Sequence, residues 1–119
     1  MPKIRYTHPK GLVQETGTGI YVGVSSTTIT AASGTPNELT QTDAPVLLCD
    51  SANDGHEVSL PLASAAGQVI FVLNVDSAQD AIVRNNADSA TILTLGEGVG
   101  AIFVSKASGD NWVPVGLGS

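Results

Sequence analysis

The stretch from Asp50 to Glu57, reading Asp-Ser-Ala-Asn-Asp-Gly-His-Glu, carries several potential metal ligands within eight residues. An EF-hand calcium loop needs oxygen ligands at its first, third and fifth positions and a bidentate glutamate at its twelfth. Counted from Asp50, the third position is Ala52 and the twelfth is Pro61, so this pattern fails. We predict a hairpin turn with solvated acids, built on Asn53-Asp54-Gly55. Another arrangement of ligands stays open, and no metal or cofactor is predicted.

Nucleophilic catalysis requires a general base within reach of a serine or a cysteine. The chain has two histidines, His8 and His56. His56 precedes Glu57 at a predicted strand start, a pattern typical of a surface pair, and no nucleophile motif accompanies it. Gly17-Thr18-Gly19 and Gly96-Glu97-Gly98 lack the lysine or the strand–helix context of a phosphate-binding loop. We therefore predict that the protein is not an enzyme.

Two further residues with possible functional roles are more simply explained as parts of a core. Cys49 is the only cysteine and ends the apolar segment Val46-Leu47-Leu48-Cys49. We predict a small buried hydrophobic residue there and not a reactive thiol. Trp112 follows a Ser-Gly-Asp-Asn turn, and we predict a strand residue that covers the edge of the core.

Composition restricts the class of protein. A chain of 119 residues forms one domain with a modest core. Hydrophobic residues make up 42% of it and aromatic residues only 4%, which favours a β domain whose thin core gains from oligomerisation. The formal net charge of −6 argues against a nucleic-acid partner. The apolar runs are too short to span a bilayer and the N-terminus lacks a signal sequence, so we predict a soluble protein without a membrane partner.

Charge is divided unevenly along the chain. Residues 1–22, which we call the arm, hold three basic residues against one acidic residue, a formal charge of +2. Residues 23–119, the body, hold two basic residues against ten acidic ones, a formal charge of −8. The arm also carries apolar side chains but has prolines, glycines and no periodic pattern. We predict an extended arm that docks on a partner through Lys3, Ile4, Arg5, Tyr6, His8, Lys10, Leu12 and Val13.

The body has the pattern of an all-β domain organised around Gly67–Asn74. Five consecutive apolar residues, Val69 to Leu73, predict a strand buried on both faces, paired with its neighbours in sequence. Short strand-like segments separated by Gly, Asn and Asp turns favour a small antiparallel β-sandwich or barrel. We predict that residues 23–44 are loosely structured, with a loop from Ser33 to Ala44, and that residues 45–119 form the compact part.

Two sequence patterns in residues 58–116 carry a resemblance. The first is Val58-Ser59-Leu60-Pro61, then Ala66-Gly67-Gln68 before the apolar strand that ends at Asn74. The second is Ile102-Phe103-Val104-Ser105, followed by Ser108-Gly109-Asp110-Asn111-Trp112. Both patterns resemble small β modules of tailed-phage virion proteins, found in head decoration (capsid cement) proteins and in fibre or spike proteins. The arm is a departure from the fibre modules.

The resemblance implies a decoration protein on the outer surface of the capsid, made in the host cytoplasm. It implies a homotrimer that binds the major capsid protein at threefold or quasi-threefold positions and ties neighbouring capsomers together. A tail-fibre or tail-tip module that contacts the host is one alternative. A carbohydrate-binding or hydrolytic β domain is another, although the chain has only five aromatic residues to form a sugar platform.

Overall fold

The computed structural model describes residues 22–115 and the backbone of two short strands nearer the N-terminus. The described residues contain eleven strands and no helix, as expected for an all-β domain. The strands are β1 Ile4–Thr7, β2 Gly11–Gln14, β3 Val24–Ala31, β4 Asn37–Glu38, β5 Val46–Ser51, β6 Glu57–Ser59, β7 Val69–Asn74, β8 Ala81–Arg84, β9 Thr91–Leu95, β10 Gly100–Ser105 and β11 Trp112–Val115.

Two mixed sheets form the body. The larger has the order β11-β10-β7-β5-β3 and the smaller has the order β4-β6-β8-β9. Pairing is parallel along β3-β5-β7 and along β4-β6-β8, and antiparallel where β9, β10 and β11 join. The prediction of a wholly antiparallel sandwich or barrel is therefore wrong, although the all-β class is confirmed.

The parallel pairing arises because successive strands alternate between the sheets. The chain crosses from the larger sheet to the smaller one in each of the steps β3 to β4, β5 to β6 and β7 to β8. Each crossing makes an arch, and three arches stack side by side with parallel registers such as Val46↔Phe71 and Val58↔Val83. The hairpin predicted for Asp50–Glu57 is thus an arch between sheets. Gly55, with a φ of 83°, reverses the chain there, but a local turn does not decide which sheet the next strand joins.

The central strand β7 differs from its prediction in two ways. It pairs with β5 and β10, neither of which is its immediate neighbour in sequence. Its burial also alternates: Ile70, Val72 and Asn74 point into the core, whereas Val69 is 42% exposed and Leu73 is 37% exposed. The strand is apolar on both faces, but this chain covers only one of them.

A single hydrophobic core lies between the two sheets. Phe103, Leu39 and Leu60 are among its fully buried side chains, and Cys49 and Trp112 belong to it as predicted. The indole Nε1 of Trp112 donates a 2.7 Å hydrogen bond to the carbonyl of Pro61, which satisfies the polar atom of a largely buried ring.

Residues 23–44 contain two strands, β3 and β4. The first of them, β3, has eight residues, and its register with β5 shifts between Val24 and Thr28. The shift falls at Ser25 and Ser26, where Asp43 accepts hydrogen bonds from both hydroxyls and from the Ser26 amide. The loop predicted from Ser33 to Ala44 contains β4 and the fully buried Leu39.

The two strands of the arm, β1 and β2, pair only with each other in the described sheets. Their antiparallel register sets Tyr6 opposite Leu12 and Arg5 opposite Val13. Neither strand joins the two sheets of the body, whose pairing begins at β3.

Candidate functional site

Four of the seven aspartates of the body, Asp43, Asp54, Asp76 and Asp110, accept hydrogen bonds from backbone amides. Asp76 accepts from the amides of Ala78 and Gln79, both at 2.8 Å. Asp110 accepts from the amides of Asn86 and Ala87 at 3.0 and 3.1 Å, which ties the β10–β11 turn to the β8–β9 turn. These are local anchoring roles, and residues 22–115 contain no group of three histidine, cysteine or acidic side chains that could hold a metal ion.

The pKa directions agree with this anchoring. Hydrogen bonds from the Ala78 and Gln79 amides hold the pKa of Asp76 below its usual value of 3.8. Hydrogen bonds from the backbone and the hydroxyl of Ser26, and then from Ser25, likewise lower the pKa of Asp43. Donors directed at a carboxylate favour its charged form, so both groups remain ionised as hydrogen-bond acceptors.

The Asp50–Glu57 arch does not assemble a ligand shell in this structure. Asp54 accepts a 2.9 Å hydrogen bond from the amide of Asp80, and Glu57 lies 3.9 Å from the Arg84 guanidinium. Asp50 lies in β5, with one carboxylate oxygen buried without a hydrogen-bond partner. The acids of the arch thus point to separate partners and do not converge.

The two described groups that could act in nucleophilic catalysis, His56 and Cys49, share no hydrogen bond through the Nδ1 atom of the imidazole. The Nδ1 atom of His56 is buried without a hydrogen-bond partner, and the predicted partner Glu57 instead faces Arg84. The Cys49 thiol is fully buried, and desolvation, reinforced by the charge of Asp50, raises its pKa to about 12. A thiol with such a pKa is almost wholly protonated at neutral pH and is a poor nucleophile.

One groove of about 530 Å³ opens beside the β4–β5 connection. Residues 41–45 line it on one side and Pro61, Leu62, Ser64 and Gln68 on the other. Its one carboxylate, Asp43, is already bonded to Ser25 and Ser26, so the groove offers amide and hydroxyl groups but no unengaged charge. This chemistry does not specify a ligand.

The most unusual surface of the body is the outer face of the larger sheet. Strand registers align Val24, Val46, Phe71, Ile102 and Val115 in one row that crosses all five strands. Adjacent rows add more apolar side chains. The outward apolar residues, which we call the apolar face, are Val24, Val46, Leu48, Val69, Phe71, Leu73, Ile102, Val104, Val113 and Val115.

Most of the apolar face is exposed in the single chain. Val24 is 57% exposed, Val115 48% and Ile102 39%, whereas Val46 is the one buried member. The opposite outer face, on the smaller sheet, is polar in comparison and carries the Glu57–Arg84 pair. The position of the apolar face was not predicted from the sequence, although the thin core predicted oligomerisation. The available signal was the run Val69–Leu73, whose length without a polar residue indicates two apolar faces.

The predicted arm residues fall outside this description of side chains. Ile4, Arg5, Tyr6, Leu12 and Val13 lie in the β1–β2 backbone ladder. Lys3, His8 and Lys10 lie outside the described residues. The anchoring role of all eight therefore stays a prediction.

No protein-family model, curated protein or solved structure matches this chain. Residues 22–115 contain no helix long and apolar enough to cross a membrane.

Proposed function

We propose that this protein is a structural virion protein of a tailed bacteriophage that decorates and stabilises the outer surface of the capsid. In this proposal the arm binds the major capsid protein at capsomer junctions. The body self-associates, as a trimer, at threefold or quasi-threefold positions. The sequence patterns of residues 58–116, which resemble virion β modules, are the reason for the phage assignment.

The division of charge carries the proposal. An arm with a formal charge of +2 is attached to a body with a formal charge of −8. Within the described part of the body, Arg84 and Lys106 are the only basic residues, and Arg84 is bonded to Asp88 at 2.8 Å. Basic residues that attract an acidic partner are therefore concentrated in the arm, where they would accelerate the encounter.

In this proposal the protein stabilises the capsid by mass action. A ligand that binds only the assembled shell stabilises that state by its binding free energy, and many copies act on one particle. A body with anchored loops suits this role, because a ligand that is already ordered loses little conformational entropy on binding. The aspartate-bonded turns at Asp76 and Asp110 support such pre-organisation.

The carbohydrate-binding alternative has less support from the described residues. Sugar platforms need exposed aromatic rings, but Phe103 is fully buried and Trp112 is 8% exposed. Phe71 is half-buried among aliphatic neighbours in the apolar face. We therefore retain the virion role as the proposed function.

Localisation on an intact particle tests the proposal. Particles of the encoding phage assembled without this protein would be imaged before and after incubation with the full-length chain. We expect new density at capsomer junctions and higher resistance of the particles to heat. Density only at the tail would overturn the decoration role in favour of a tail-tip function, and the absence of any binding would overturn both.

A further inference from the structure

We infer that the apolar face is a self-association surface, on which other copies of this chain pack. The inference rests on the proposed self-association of the body and names the surface responsible for it. It does not depend on the phage assignment, because the surface acts in the free protein.

The face is built as a continuous packing surface. Phe71 lies between Val46 and Ile102 in the central row, and Val69 lies opposite Val104 in the next. Gly100 stands opposite Leu73, and a Cβ atom at Gly100 would collide with the Leu73 side chain. The glycine thus lets Leu73 lie flat across the neighbouring strand, which keeps the face level. A level β-branched surface suits close packing against the same face of other copies.

Its size is that of a functional patch. Strands lie about 4.8 Å apart and rise about 3.3 Å per residue, so five strands of about five residues cover roughly 400 Å². The largest apolar patches on monomers, about 300–600 Å², are often functional. Val22 and Val75, both exposed, extend the alternation beyond β3 and β7. A stable interface covers about 800 Å² per partner, so the apolar face forms its centre and the surrounding loops its rim.

The charge distribution favours another copy of this chain as the partner that packs on the apolar face. Among the outward positions of the five strands only Asp50 is charged, and it lies at the end of the face beside Thr30. The remaining surface of the body is acidic, so two copies avoid mutual repulsion best when they meet through this face. An anionic lipid surface would require basic residues around the patch, but the described body has only Arg84 and Lys106.

The edges of the larger sheet are less suited to association than its face. Edge strand β11 contains Pro114, which has no amide to donate, and edge strand β3 has a register shift stabilised by Asp43. Proline and bulges are the usual features that prevent edge-to-edge pairing of sheets. Association through the edges is thus discouraged, whereas the outward side chains of the apolar face include neither a proline nor a carboxylate-bonded bulge.

Solution mass tests the inference with the full-length chain alone, so it succeeds or fails separately from capsid binding. The test variant is Ile102→Glu, in the central row of the apolar face. The matched control is Thr94→Glu, an exposed outward position of β9 on the opposite sheet. We expect a multiple of the 12.1 kDa chain mass in sedimentation equilibrium at micromolar concentration for wild type and control. Ile102→Glu should weaken association by about a hundredfold.

Circular dichroism would establish that both variants keep the β fold. A monomeric wild-type chain at high micromolar concentration, or equal association of the two variants, would overturn the inference. If removal of residues 1–22 converts a monomeric chain into an oligomer, the chain's own arm covers the face, which also overturns it.

Cross-linking supplies a second measurement that avoids a buried charge. Ile102→Cys and Thr94→Cys each add one thiol at a position that is exposed in the single chain, and the native Cys49 does not interfere because it is fully buried. A short bifunctional maleimide should join copies of Ile102→Cys about tenfold more than copies of Thr94→Cys. Equal cross-linking at the two positions would contradict packing through the apolar face.

Discussion

The side-chain amide of Asn74 donates a 3.2 Å hydrogen bond to the carbonyl of Leu95, joining the end of β7 in one sheet to the end of β9 in the other. The same amide reaches the carbonyls of Gln79 at 2.8 Å and Gly96 at 3.1 Å, and its oxygen accepts from the Asp76 amide at 3.1 Å. Asn74 is 1% exposed, so water does not compete for these bonds. One buried side chain thus fixes the β7–β8 and β9–β10 crossings together.

Replacing Asn74 should therefore destabilise the body strongly. Asn74→Ala leaves buried carbonyls without a donor, which costs about 2–3 kcal/mol of unfolding free energy. Asn74→Asp should cost more, because it removes the donor and sets a carboxylate against three carbonyl oxygens. Urea unfolding followed by fluorescence of Trp112, the only tryptophan, measures both. Asn53→Ala, at an exposed position, serves as the control, and its unfolding free energy should lie within about 0.5 kcal/mol of wild type. Equal effects at the two positions would contradict the buried role of Asn74.

Acid should weaken the body through its loop aspartates. The pKa values of Asp76 and Asp43 are lowered in the folded state, so the stability they contribute is present above the usual value of 3.8 and is lost as the pH falls through the lowered values. Asp76→Ala should reduce the drop in melting temperature between neutral pH and about pH 3. Glu97→Gln, at an exposed turn position, is the control. A drop of unchanged size in Asp76→Ala would show that the Asp76 turn does not contribute to acid sensitivity.

Cys49 should react with thiol reagents only when the body opens. Its thiol is fully buried in the core and its pKa is raised to about 12, so both access and thiolate content are low. We expect iodoacetamide at mildly alkaline pH to label the native chain slowly and the urea-unfolded chain rapidly. Mass spectrometry after timed quenching measures the difference. Equal labelling rates in the two states would contradict burial of the thiol.

The sequence predicted the positions of chain reversals well, but it predicted poorly which strands pair with each other. The turn predicted at Ser108–Asn111 joins the antiparallel neighbours β10 and β11. Asn53-Asp54-Gly55 has equally good turn chemistry, yet it joins strands of different sheets. A turn residue fixes the backbone locally, whereas the pairing of the next strand depends on which core position its side chains fill. The parallel pairing of the strands in the stacked arches could therefore not be predicted from the turn residues.

The arm could be predicted from the sequence, whereas the position of the apolar face could not. The arm stands out in sequence because charge is counted along the chain, and its basic residues contrast with the acidic body. The apolar face is assembled from five strands distant in sequence, and only their registers align Val24 with Val115 across the sheet. Within β7 the core-facing and outward residues are equally apolar, so the run Val69–Leu73 indicated two apolar faces but not that one of them is exposed.

The body should fold without the arm. Strands β1 and β2 pair only with each other. The two sheets of the body are built from strands between Val24 and Val115. Deletion of residues 1–22 should preserve the β-type circular dichroism and the cooperative melting of the full-length chain. Loss of cooperative melting would show that the arm is part of the core.

The arm should bind the capsid mainly through its apolar side chains. Exposed ion pairs contribute about 0–1 kcal/mol each, so Lys3 and Lys10 should mainly affect encounter and salt dependence. Burying a large apolar side chain contributes about 1.5–3 kcal/mol, and several copies add through multivalency. Tyr6 and Leu12 are opposite each other in the β1–β2 ladder, so one double substitution removes both members of an apolar pair.

Tyr6→Ala with Leu12→Ala should therefore reduce capsid occupancy at physiological salt more than Lys3→Ala with Lys10→Ala. Each variant is added to particles that lack the protein, and bound copies and heat resistance are then measured. The lysine variant should differ from wild type chiefly at low salt, where electrostatic attraction is least screened. If both variants and the arm deletion bind and protect like wild type, the arm is not the anchor. The tail-tip function would then explain the chain better than the decoration role.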